Sequence, residues 1–150
     1  MKRVFAMLAV CAMLLCVVPM TAHATETSTS IRYFEDGSYL VTEIEVSATR
    51  MLTKVGSKTS TYYSADHEPQ FKLSITGEFL YDGTTVTCTY ASGTTTVYEP
   101  NSWRKISDWI SYSGNAATYT TTFDSLFLGV VVDTFNSYVM ISCDPDGNIS

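Results

Sequence analysis

Histidine, cysteine and positive charge are all scarce in this chain, and each shortage removes a class of function. One of the two histidines, His23, falls in the first 24 residues, which leaves His67 alone. With no second histidine and no Cys-x-x-Cys, a zinc site lacks ligands. A lone histidine gives a serine or cysteine triad little to work with, and Gly-x-Ser-x-Gly does not occur. Nine basic residues face fifteen acidic ones, so the chain repels phosphate backbones and nucleic acid is not an expected partner. After Val18 no apolar run is long enough to cross a bilayer as a helix.

The N-terminal segment has a different character. Met1-Lys2-Arg3 precedes an uncharged apolar run from Val4 to Val18, then Pro19 and Ala22-His23-Ala24. That order is a basic n-region, an h-region and an A-x-A cleavage site, so residues 1–24 are expected to be a signal peptide. Cys11 and Cys16 are read as ordinary apolar members of it. Cleavage after Ala24 leaves seven basic and fifteen acidic residues, a net charge of −8. Residues 25–150 are then expected to form a single secreted, extracellular domain.

That domain is crowded with Thr, Tyr, Val and Ile, which suit a pleated surface. Ile31 to Glu35 and Ser38 to Val46 flank Asp36-Gly37, a pair that favours a two-residue hairpin turn. Ser47 to Ser57 reads as a connection and Lys58 to Ser64 as a strand. In Phe71 to Tyr81, apolar Phe71, Leu73, Ile75, Phe79 and Tyr81 alternate with Lys72, Ser74, Thr76 and Glu78. Gly77, on the apolar side, suggests a bulge or a close approach by another sheet. Beyond Asp82-Gly83, Val86, Cys88 and Tyr90 share the apolar phase. Further strands are expected over Thr94 to Tyr98, Asn115 to Phe123, Leu128 to Asp133 and Ser137 to Cys143. Short strands spaced by turns, with no helical units, predict an all-β fold: one antiparallel β-sandwich, immunoglobulin-like or related.

Only Cys88 and Cys143 lie beyond the leader, each on the apolar phase of a strand. In an exported protein they are the expected disulfide, which would stabilise by about 4 kcal/mol in the chain-entropy picture. Two unpaired buried thiols are the alternative.

Few other residues invite chemistry. His67 sits in Asp66-His67-Glu68, but neighbours on an extended chain point to opposite sides and do not converge on one ion. Glu43 and Glu45 share a strand face, as an exposed edge would use them. Asp144-Pro145-Asp146-Gly147-Asn148 resembles the start of a calcium loop without its distal Glu, and a turn accounts for it. No metal or cofactor is expected. Trp103 and Trp109 stand among polar residues from Asn101 to Tyr112. As a short helix, that segment would pack Trp103, Ile106 and Ile110 inward; as a strand, the reading favoured because Ser113-Gly114-Asn115 leads into another strand, it places both indoles on one face and makes them a candidate ligand platform.

Taken together, Tyr33-Phe34-Glu35-Asp36-Gly37-Ser38-Tyr39, Gly56-Ser57-Lys58-Thr59, Thr76-Gly77-Glu78-Phe79, Thr87-Cys88-Thr89 and Ser142-Cys143-Asp144 resemble a group of small secreted proteins. The group comes from Gram-positive, clostridial-type bacteria, and its members are described as of unknown function. The resemblance implies export and a β-sandwich-like domain, and transfers no catalytic residue. Two function classes stay open: an extracellular module binding a protein, a glycan or cell-wall material, and a small enzyme with carboxylates assembled from distant strands. The lack of paired histidine, cysteine or metal motifs favours the first.

Overall fold

The computed structural model describes residues 25–50 and 52–150, so the expected signal peptide lies outside the described residues. Among the described residues, eight strands follow one another without a helix: β1 Thr25–Tyr33, β2 Tyr39–Arg50, β3 Thr53–Tyr63, β4 Pro69–Tyr81, β5 Val86–Val97, β6 Trp103–Ser113, β7 Ala116–Phe127 and β8 Val130–Ser142. They form two antiparallel sheets, β1-β2-β3-β4-β5 and β6-β7-β8. The all-β sandwich is therefore present. Each sheet is a plain meander in chain order, without the Greek-key connections of an immunoglobulin sandwich.

Alternation on β4 fixes the core. Phe71, Leu73, Ile75 and Phe79 are buried, and they face Ala117, Tyr119 and Phe123 of β7 and Val139 and Ile141 of β8. Tyr119 lies so close to Gly93 of β5 that a Cβ there would sit 2.4 Å from its ring. Gly77 likewise permits a close approach, because its missing Cβ would meet the Phe79 ring at 2.8 Å and Ile141 at 3.3 Å. Glycine at these two positions lets the sheets close on large side chains.

Several boundaries differ from the sequence expectation, each for a pairing reason. Ser47 to Ser57 is no loose connection: β2 and β3 pair along their length, from Tyr39↔Tyr63 to Arg50↔Thr53. The stretches expected at Val86 to Tyr90 and Thr94 to Tyr98 belong to the single strand β5, and those over 128–133 and 137–143 belong largely to β8. A bulge leaves Thr89 without a partner, since Glu78 pairs Tyr90 while Phe79 pairs Cys88. Cys88 thus points inward, and Tyr90 turns to the solvent face.

The first hairpin also closes differently from the two-residue turn expected. Phe34 N donates to Ser38 O and Gly37 N donates to Phe34 O, with Gly37 at φ 83°. That is a three-residue loop whose last residue is left-handed. The same pattern recurs at Ser64 to Glu68, with His67 at φ 65°, and at Asp144 to Asn148, with Gly147 at φ 82°. One turn geometry therefore accounts for both the lone histidine and the calcium-loop-like segment.

Candidate groove between the sheets

Five strands face three, so part of the larger sheet has no cover. Direct cross-strand partners share a face. The register therefore places Arg32, Leu40, Lys58, Ser60 and Tyr62 on the same inner face as buried Phe71 and Leu73. β8 packs over β3 and β4 and is the last strand of its sheet. Between its outer edge and the uncovered face of β1 to β3 lies a groove of about 990 Å³. The wall is the continuous stretch Asn136 to Met140.

An aromatic cluster closes one end of the groove. Trp103 meets Tyr62, Phe71 and Phe135 edge-on at 6.1, 5.3 and 5.4 Å between ring centroids. Its Nε1 donates to Gln70 Oε1 at 3.0 Å, which satisfies the only polar atom of a half-buried indole. Two cations join this floor. Arg32 holds its guanidinium 5.5 Å over the Phe34 ring at the mouth. Lys58 has no ion-pair partner among the described residues, and burial holds its ammonium below the ordinary lysine pKa.

The two indoles of the expected platform do not share a face. Lys105 pairs Phe123 and Ser107 pairs Thr122, so Ile106 is an extra residue and the strand phase switches there. Trp103 consequently faces the groove, whereas Trp109 is 48% exposed on the outer face of the smaller sheet. Two identical residues six apart can share a face only on an unbulged strand. On the outer face, Trp109, Thr120 and Tyr138 form a cross-strand row, and beside it Ser107 donates to Thr122, which donates to Asn136.

The remaining candidates stand apart from the groove. Glu43 and Glu45 are exposed on the outer face of β2. His67 Nδ1 lies 3.2 Å from Tyr39 OH, beside an outer-face row of Tyr33, Tyr39 and Tyr63 whose last two rings stack at 4.8 Å. Ser102-Trp103-Arg104-Lys105 has the Ser-x-x-Lys spacing of some serine nucleophiles, but it opens a strand and its Lys105 Nζ is held 2.6 Å from Asp108.

Cys88 and Cys143 are both buried, but the expected bridge between them is not formed. Each thiol donates instead to a nearby carbonyl, Tyr90 O and Asp144 O, both at 3.4 Å. They come from opposite sheets, and their backbone N–H groups donate to Gly114 and Asn115 of the β6–β7 turn. Burial raises both thiol pKa values.

Among the described residues no group of three or more histidines, cysteines and acids could hold a metal ion, and no helix is long and apolar enough to cross a membrane. No family model, curated protein or solved structure matches this chain. The groove could have been suspected from Lys58 and Ser60, two polar residues on an inward phase of β3. Its existence depends on the unequal sheets, which no local pattern encodes.

Proposed function

We propose that the chain is an exported interaction module that takes a partner protein, a glycan or cell-wall material in the groove beside β8. The observation that carries this reading is the groove itself. It has an aromatic floor at one end, a lysine without a carboxylate partner, and one wall made of a strand edge. Such concave, mostly apolar sites with a few polar groups are where ligands bind. Export rests on the leader-like residues 1–24, and the resemblance to small secreted Gram-positive proteins agrees with it. Intact mass of the secreted protein tests export, with Thr25 expected as the first residue.

The alternative of a small enzyme draws less support. Every carboxylate whose pKa is shifted is shifted downward, by hydrogen bonds that favour the ionised form: Asp36, Asp82, Asp108, Asp124 and Asp144. A general acid at neutral pH needs the opposite shift.

Trp103 supplies the experiment. In a Trp109→Phe background its emission reports on the groove alone, and short peptides, cello-oligosaccharides and muropeptides are titrated in turn. One class is expected to shift the emission saturably, and Ser60→Trp, which fills the groove, is then expected to block that class when binding is followed by calorimetry. No response to any class would overturn the groove as a binding site.

A second reading has its own observation. Trp109 and Tyr138 flank Thr120 across two strand spacings, roughly 10 Å apart, with the uncharged Ser107-Thr122-Asn136 chain beside them. A neutral glycan laid across the strands would suit that outer face, and loss of its binding in Trp109→Ala tests this.

A further inference from the structure

We infer that the groove takes an extended peptide from a partner protein, added as a fourth strand to the free edge of β8 and carrying an acidic side chain over Lys58. This inference rests on the groove being the binding site.

The edge itself is the first argument. In an antiparallel strand alternate residues aim both backbone groups to the same side. Ser142 and Ser150 exchange both N–H···O bonds at 2.9 Å, so Ser142 faces away from β7. Cys143 N donates to Asn115 O on the β7 side, as the alternation requires. Met140, Tyr138 and Asn136 share the phase of Ser142, so their N–H and C=O groups line the groove. Further along, Thr134 N–H is capped by Asp133 Oδ1 at 2.8 Å. The open edge is therefore bounded at both ends and three residues long on its bonding phase.

Residues 149 and 150 show the path. They lie antiparallel to β8, with a bridge between Cys143 and Ile149. Ile149 points inward and fills the space above Gly56, where a Cβ would come within 2.8 Å of it. A strand continuing along this line would run over β3 and β2. Its inward side chains lie opposite Val139, Ser137 and Phe135. A Cβ on Gly56 would also come within 3.0 Å of Ile141, so Lys58, one repeat along β3, falls beside Val139, with which it lines the groove. Ser60 floors the next inward position, and the paired Leu40 and Tyr62 the one after it.

Chemistry selects the occupant. A strand edge recognises peptide backbone, and pockets under alternate residues read side chains. The groove's two acids, Glu35 and Asp36, lie in the β1–β2 turn at its mouth, with Asp36 bound to Ser38. Lys58 on β3 has no ion-pair partner among the described residues, so an acid suits the first inward position and apolar groups the later ones. β8 carries no lysine or proline to blunt its edge, and Tyr138 and Met140 beside it are 68% and 47% exposed.

The probe is the capped peptide Thr-Glu-Thr-Val-Thr-Leu, whose threonines would bond to Met140, Tyr138 and Asn136. Three controls accompany it: the same peptide with Lys for Glu, the same peptide N-methylated at all three threonines, and the Lys58→Glu protein. In the full protein, amide exchange at residues 136, 138 and 140 is expected to slow about tenfold or more on saturation. The Lys peptide should bind about fivefold more weakly, a preference that Lys58→Glu reverses. The N-methylated peptide should not bind. Equal binding of the N-methylated peptide, or protection elsewhere, would overturn strand addition. So would a lack of binding by every peptide, and a saccharide that still shifted Trp103 would then leave the groove as a site. Protection of the same amides that rises with protein concentration, without peptide, would replace the partner with a second copy.

Discussion

Trp103 and Trp109 lie on opposite faces of β6, because the extra residue Ile106 reverses the strand phase between them. Their fluorescence should therefore separate. Trp109 is expected to be quenched readily by acrylamide, and Trp103 to resist it behind Tyr62, Phe71 and Phe135. Trp103→Ala should cost about 3 kcal/mol, whereas Trp109→Ala should cost under about 1. Denaturant melts of the two variants check this, and equal costs would contradict the bulge.

The polarity of β4 makes a second claim. Leu73 is fully packed between the sheets, so Leu73→Ala should cost roughly 2–5 kcal/mol. Ser74 faces outward and shares a 3.0 Å hydroxyl contact with Thr59. Ser74→Ala should therefore cost about 1 kcal/mol at most, from that one contact. The comparison is made in urea melts of both variants.

A third concerns the backbone of His67, held at φ 65° where the equivalent turns use Gly37 and Gly147. A left-handed non-glycine residue is strained by about 1 kcal/mol or more. His67→Gly should raise stability by up to about 1 kcal/mol, although it gives up the contact with Tyr39 OH. A loss in thermal melts would mean that the tyrosine contact outweighs the strain.

These three cases show what the sequence could and could not disclose. β4 was legible because one face stays apolar through the strand, and alternation reports burial directly. The phase of Tyr90 and of Trp109 was not, because bulges at Thr89 and Ile106 are set by the partner strand. His67 looked like a candidate for chemistry, but only hydrogen bonding across residues 64–68 reveals a turn position. The groove was least legible of all. It follows from five strands facing three, a property of the whole chain.

The thiols give a fourth test. Both are buried with raised pKa values, first of all through desolvation, so neither is a ready thiolate at neutral pH. In the folded protein they should react slowly with a disulfide reagent, and two should titrate at once in denaturant. Two thiols absent after aerobic folding would mean that the pair has oxidised.

Acid titration reaches the polar chain that ties the sheets together beside the core. Asp108 Oδ2 accepts from Lys105 Nζ at 2.6 Å and from Tyr119 OH, while Tyr119 OH and Thr121 Oγ1 both contact Thr95 Oγ1, at 2.9 and 2.8 Å. The Lys105 hydrogen bond first, and the Tyr119 one second, lower the Asp108 pKa. A lowered folded pKa contributes stability above the unfolded aspartate value, about 3.9, and loses it as pH falls through the folded value. The same hydrogen bond raises the Lys105 pKa, so the pair is also lost in strong alkali, as pH rises through the folded lysine value. Both side chains are more than a third exposed, so salt should weaken the ion pair. Denaturant midpoints measured from neutral pH downward should therefore fall below about pH 4 in the wild type. Asp108→Asn, which keeps an acceptor for Tyr119 but cannot titrate, should start lower and fall less steeply there. Identical slopes would show that Asp108 is not among the groups that drive acid destabilisation.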